Sequence, residues 1–256
     1  MPLPGPTPPT DEMLEDCLQA IHRLELQGQS ASTAEVAAFA RIPLEAAEEV
    51  LRELGRRGLL QIGSTNGTIL NLEGRRQAVG ILRRHRLSER LLADVLGLPW
   101  DRVHDEAMRL EHALTPEAEA RLATLLKNPA TCPHGAPIPE NNGSVAPQAT
   151  SGLDRIAAGA RVQIQQIVEE EPTFLRYLAS LGLLPRAEIH VEEIAPFGGP
   201  LLVRVGDATY AIGRDVAAKI LVQQVGPPLE PQRLRRQRRH GWGQRSGRGT
   251  GRGRGD

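Results

Sequence analysis

Aromatic side chains are scarce in this chain: Phe, Trp and Tyr together make up 3% of its 256 residues. Any core must therefore be aliphatic, and apolar residues at 40% suffice for that. Cysteine is equally sparse. Cys17 and Cys132 are the only two, too few for a disulfide framework, so a reducing cytoplasmic setting is the default. No apolar run approaches the ~18 residues of a membrane span, so no membrane partner is expected. The opening MPLPGPTPPT lacks the basic and apolar regions of a signal peptide and reads as a disordered leader over residues 1–10. Net charge is formally zero, but unevenly spread. Nine arginines fall in residues 226–256 beside Glu230 and Asp256, leaving 22 basic and 29 acidic residues in 1–225. An acidic body carries a basic tail.

What the chain has in excess is metal-ligand chemistry on helical spacing. His85 and Glu89 are four apart and share a helix face. His104, Met108, Glu111 and His112 fall at i, i+4, i+7 and i+8, again on one face. Cys132-Pro133-His134 follows. Imidazole, carboxylate and sulfur are the donors that divalent first-row metals take. Taken singly, each residue also suits a solvated amphipathic helix, and periodicity alone leaves both readings open.

The surrounding segments outline three units. In residues 11–73, three helical stretches precede two short β-like runs around Ser64-Thr65-Asn66-Gly67, whose Asn-Gly is a hairpin signal. Ser32 or Thr33 can cap the second helix, and Pro43 precedes the third. This is the plan of a winged helix-turn-helix, whose third helix would enter the DNA major groove. Residues 74–127 read as helices over 74–97 and about 100–113, with a third starting at Thr115-Pro116. Their surplus of apolar surface suggests a homodimer. Residues 128–152 have the composition of a linker. Residues 153–225 alternate in short apolar runs with a helix near Pro172–Leu181, which fits a small β-barrel. Residues 226–256 form a low-complexity Arg/Gly tail, expected to be disordered. The fold class is α+β.

The run RHRLSERLLADVLGL…VHDEAMRLEHAL over residues 84–114, with TCPHGAPIP over 131–139, resembles the diphtheria-toxin-repressor family of metal-activated transcriptional repressors. The likeness covers about residues 11–225, and the C-terminal unit resembles the SH3-like barrel of ferrous-iron transport accessory proteins. The resemblance implies two sites per subunit for Fe2+ or Mn2+. One maps to Asp16, Met108, Glu111 and His112. The other maps to His85, Glu89 and His104, with Glu171 as a weaker match and Cys132 and His134 from the CPHG loop. Iron-type members pair Met with Cys where manganese-type members pair Asp with Glu. This chain has Asp16 and Met108, one hard and one soft donor, so the metal stays open.

The DNA-reading helix departs from the family. It begins LEAAEEVLRE, where members usually carry small polar residues, and Glu45, Glu48 and Glu49 would face phosphates. Residues 11–80 hold seven basic and eleven acidic residues, a poor footprint for phosphate neutralisation. Arg52, Arg56 and Arg57 are the candidate DNA contacts, with Arg75 and Arg76 nearby. The leading expectation is a metal-dependent repressor binding double-stranded operator DNA. Its alternative is a metal-sensing dimeric adaptor with weakened operator recognition. An enzyme using the metal hydrolytically ranks last, because no open site or Ser/His/Asp arrangement stands out and no small-molecule substrate is implied.

Overall fold

The computed structural model describes residues 8–26, 28, 31–62 and 67–225. The first seven residues of the expected leader, the Asn66 half of the hairpin turn, and the Arg/Gly tail with its Trp242 lie outside the described residues.

Helix α1 (Asp11–Leu26) buries Leu14, Cys17, Leu18 and Ile21, a stripe at helical spacing. Helix α2 (Thr33–Phe39) starts at a capping box: Ser32 accepts from Glu35 N, and the Glu35 carboxylate accepts from Ser32 N. Helix α3 (Leu44–Arg56) begins after Pro43 and buries Ala47, Val50 and Leu54. Strands β1 (Leu60–Ile62) and β2 (Thr68–Leu70) pair antiparallel as the wing. Their aliphatic core also takes Ala78 and Ile81 from helix α4 (Leu72–Arg90). The unit boundary expected at residue 74 thus falls inside α4, which serves two units. Gly74 is needed there, because a Cβ would overlap the Leu59 carbonyl.

The helix expected over 74–97 begins at Leu72 and changes character after Arg90, continuing as a π-turn over Leu91–Val95. Helix α5 (Val103–Leu110) tightens into a 3-10 turn over Glu111–Ala113. Helix α6 (Pro116–Leu125) is capped by Thr115 with Pro116 at its first position.

The expected linker is not uniform. Within it, Cys132, His134, Ala136 and Ile138 are buried, and Thr131 bridges to Pro137. Three arginines on one face of α4 hold this loop. Arg83 donates to the Pro139 carbonyl, Arg86 to that of Pro137, and Arg90 to those of Thr131 (2.6 Å) and Cys132 (3.1 Å).

The C-terminal unit has strands β3 (Ser151–Gly152), β4 (Arg161–Ile167), β5 (Glu188–Ile194), β6 (Leu201–Val205), β7 (Ala208–Ile212) and β8 (Ile220–Gln224). They form one antiparallel sheet in the order β3-β8-β4-β5-β6-β7. Helix α7 (Pro172–Ser180) lies between β4 and β5, and α8 (Arg214–Ala217) between β7 and β8. The buried core is aliphatic, as the scarcity of aromatics requires, with Trp100 packed against it from the segment between the π-turn and α5. A bulge between Ile164 and Gln166 interrupts β4. The CPHG loop docks at this bulge: Ile167 N donates to the His134 carbonyl (2.9 Å), and a Cβ on Gly135 (φ +88°) would overlap the Gln165 carbonyl.

Candidate metal centres

Two donor clusters lie where these units meet. The first is closed. Glu89, fully buried on α4, is ringed by three imidazoles: His85 Nε2 and His134 Nδ1 at 3.3 Å and His104 Nδ1 at 3.6 Å, all measured to its Oε1. Cys132 joins Glu89 and His134, with donor atoms within 4.8 Å of one another. From the barrel, Glu170 brings Oε2 to 3.2 Å from His104 Nδ1 and Oε1 to 3.8 Å from His134 Nδ1.

Glu171, the weaker sequence match, is not part of this cluster. It caps α7, accepting from Thr173 N (2.9 Å) and Phe174 N (2.8 Å), and these bonds hold its carboxyl below the usual range. The cue was in the sequence. Proline favours the first helical position, so the residue before Pro172 is the cap. Glu170, one residue earlier, is left to face inward.

The second cluster is open. His112 Nε2 lies 3.2 Å from Asp16 Oδ1 and 3.8 Å from Glu111 Oε1. Met108 lines the same cleft, about 550 Å³ in volume, together with Asp16, Arg41 and Asp105. The other oxygen of Glu111 accepts from His85 Nδ1 at 2.5 Å, so one carboxylate touches both clusters. Gln19 Nε2 also donates to Glu111 Oε1.

Outer contacts fix which nitrogen each ring presents. His134 Nε2 donates to the Trp100 carbonyl (2.8 Å), turning Nδ1 toward Glu89. His112 Nδ1 bonds Glu15 Oε2 (2.7 Å), leaving Nε2 for Asp16. Arg84 steadies this arrangement through Glu15 Oε1 (2.8 Å) and the Glu111 carbonyl (3.0 Å). Sequence reasoning missed Glu15, Gln19 and Glu170. Gln19 had a signal, since it lies three residues from Asp16 on the same face of α1.

The electrostatics are those of anionic cages. Burial disfavours charge on His85, yet Glu89 and Glu111 override it and raise its pKa to about 10. Burial likewise opposes charge on His134, but Cys132 and Glu89 raise it to about 11. The carboxylates of Asp16 and Glu15 beside it raise His112 to about 10. Burial pushes the Cys132 thiol up to about 11. Glu89 is held well below the carboxylate range: burial opposes its ionisation, but the surrounding imidazoles outweigh burial. Both Glu89 carboxylate oxygens, His134 Nδ1 and Asp16 Oδ1 are buried without a hydrogen-bond partner, although opposite charges lie at ion-pairing distance. Native interiors rarely leave such atoms unmatched. Converging N, O and S donors with unmatched atoms fit a divalent ion.

The candidate DNA contacts are placed on or just beyond α3, but all are engaged by acids. Glu49 pairs with Arg52 and Arg56, Glu53 pairs with Arg56 and Arg57, and Asp11 also reaches Arg57. Arg75 pairs with Glu25 and Arg76 with Glu73. Glu45 and Glu48 are exposed.

Residues 72–140 match the iron-dependent repressor metal-binding and dimerisation domain, and residues 152–224 match the FeoA domain. The chain is 31% identical over 220 residues to the iron-dependent repressor IdeR of Mycobacterium leprae, covering 81% of this chain and 95% of that protein. It is 30% identical over 186 residues to the diphtheria toxin repressor of Corynebacterium diphtheriae, covering 69% and 82%. Among solved structures, it superposes on a manganese-dependent transcriptional repressor in complex with manganese with a TM-score of 0.75. That likeness is at 32% identity and covers 83% of this chain and all of the other.

Proposed function

The chain belongs to the diphtheria-toxin-repressor family of metal-dependent transcriptional regulators, and from that premise we propose that it is a homodimeric repressor whose grip on operator DNA is controlled by Fe2+ or Mn2+ at two centres per subunit. The observation that carries the reading is the approach of Asp16, on the first helix of the winged-helix unit, to His112 just beyond α5 (3.2 Å). Asp16, Glu111 and His112 would hold a divalent ion, whose positive charge would let the two carboxylates share one place. Asp16, Glu111 and His112 would then clamp α1 to the helical unit and fix the pose of the reading head, selecting among poses already sampled. In a two-fold dimer the same clamp sets the spacing of two heads on two half-sites. Val95 and Leu96 at the end of the π-turn and Leu125 on α6 are exposed apolar residues that support pairing of this unit.

The test is operator binding by fluorescence anisotropy with and without Mn2+ or Fe2+. Affinity is expected to rise with metal; an affinity indifferent to both ions would sink the reading.

The adaptor reading keeps one observation in its favour, the capture of Arg52, Arg56 and Arg57 by acids. Exposed ion pairs contribute only about 0–1 kcal/mol, so these arginines can exchange partners for phosphates. The net charge of the head is unchanged by such an exchange. We therefore assign the missing attraction to the nine arginines of residues 226–256. Truncation after Val225 should weaken operator and random DNA alike. It should also flatten the salt slope, by about 0.9 for each phosphate that the tail neutralises. Identical slopes, with weak binding of both proteins at low salt, would favour the adaptor.

A further inference from the structure

Among the described residues, one side chain alone makes polar contact between the winged-helix unit and the barrel. Arg23, near the end of α1, donates through Nη1 to Glu170 Oε2 (3.1 Å) and through Nη2 to the Val168 carbonyl (3.2 Å). Its guanidinium also lies over the Phe39 ring of α2, 5.2 Å from the centroid. That cation–π contact anchors it to the head from which it reaches. The oxygen it holds is also the Glu170 oxygen facing His104 Nδ1 at 3.2 Å. Glu170 is therefore claimed from two sides, by a cation of the reading head and by the closed centre.

We propose that Arg23 is a built-in countercation of the closed centre, latching the barrel to the DNA-reading head through Glu170 and giving up that carboxylate when a divalent cation takes its place. The inference rests on the closed centre being a metal site. Physically, Glu170 is a mostly buried carboxylate near a second one, Glu89, and needs a positive neighbour in either state. Without metal, Arg23 helps to meet that need beside the His104 and His134 rings. With a divalent ion on the same carboxylate, the guanidinium becomes a like charge a few ångströms away, and the pairing weakens. Loading the centre would thus release the head from the barrel, freeing it for the pose fixed by Asp16 and His112. A guanidinium suits the task because its flat fork holds a carboxylate and a carbonyl together while stacking on a ring.

The experiment uses the full chain carrying Arg23→Gln, Arg23→Lys or Glu170→Gln, with two readouts. In metal-free protein, amide exchange is followed in peptides covering residues 166–171 and 20–26. Arg23→Gln and Glu170→Gln should both accelerate it. In a cobalt(II) titration, the Cys132 thiolate–cobalt absorption reports occupancy of the closed centre. Here the two variants should move in opposite directions. Arg23→Gln removes a competing cation and should tighten cobalt roughly tenfold, whereas Glu170→Gln removes a donor and should weaken it. Arg23→Lys keeps the charge and should retain the wild-type cobalt affinity. Unchanged exchange in Arg23→Gln, unchanged or weaker cobalt binding in that variant, or an Arg23→Lys indistinguishable from Arg23→Gln would each overturn the proposal. Absence of the thiolate band in the wild type would instead overturn the closed centre as a metal site, while the metal-free exchange would still judge the latch.

Discussion

The closed centre draws its donors from α4, α5, the CPHG loop and the segment before α7, and it hides Glu89 and His134 completely. The open centre draws from α1 and the region of α5 alone, and it borders a cleft of about 550 Å³. The difference separates two roles that similar donors can play. Loop and barrel packing gathers the first set without an ion, so binding there would rearrange little among the donors themselves beyond the Arg23–Glu170 pairing. The second set spans a reading head and a helical unit. On the proposed reading, part of its binding energy would go into fixing that head, and its apparent affinity would fall with the fraction of molecules already in the competent pose. A preformed centre suits a resident ion, and a centre made by closure suits a switch. Glu111 prevents full independence, because its two oxygens face the two clusters.

The largest effect is expected from Glu89→Ala. It strips a buried anion from three imidazoles at 3.3–3.6 Å, and leaving buried charge uncompensated costs about 3–5 kcal/mol. Denaturant unfolding of metal-free protein should show that loss, and the thiolate–cobalt band should vanish. A loss below about 1 kcal/mol would contradict a preformed cage.

Next comes His112→Ala, which belongs to the open centre alone. Metal-dependent operator binding should disappear while the thiolate–cobalt band of the closed centre persists. Glu111→Ala should damage both, since it also frees His85. Equal behaviour of the two variants would mean that the centres are not distinct.

Proton linkage sharpens the contrast further. His85 and His134 have folded pKa values raised to about 10 and 11 from an ordinary value of about 6.5. Their stabilisation of the metal-free fold is therefore complete below about pH 6.5 and lost as pH rises through about 10–11. Unfolding midpoints should decline over that window. Metal binding must expel these protons. At pH 7 the closed centre should release those of His85, His134 and the Cys132 thiol, and the open centre that of His112. Calorimetry in buffers of different ionisation enthalpy counts them, and His112→Ala should subtract one. An unchanged count would remove His112 from the ligand set.

The smallest effect is expected from Glu171→Ala. It removes the α7 cap and costs about 1 kcal/mol, with the cobalt spectrum unaltered. A change in that spectrum would return Glu171 to the closed centre at the expense of Glu170.

Much of this architecture could be read from local pattern. The α1 stripe, the Ser32–Glu35 capping box, the Thr115-Pro116 start of α6 and the alternating strands around an aliphatic core all depend on neighbours a few residues apart. The donor helices were legible for the same reason, because His85 with Glu89, and Met108 with Glu111 and His112, need only helical spacing to share a face. The Glu171 assignment failed on a local cue, the proline that follows it. The engagement of Arg52, Arg56 and Arg57 was partly local as well, lying three to seven residues from its acids.

What the chain alone determined, then, was its aliphatic core, its helices and strands, and the two donor-bearing faces, because short-range sterics, hydrogen bonding and helical geometry fix these. Tertiary structure decided which faces meet. It brought Glu170 across more than 60 residues to His104, set Arg23 against the barrel, buried the CPHG segment of the expected linker beside Glu89, and let Glu111 touch both clusters. Those juxtapositions follow from how separate aliphatic cores pack against one another, a non-local outcome that no spacing along the chain encodes.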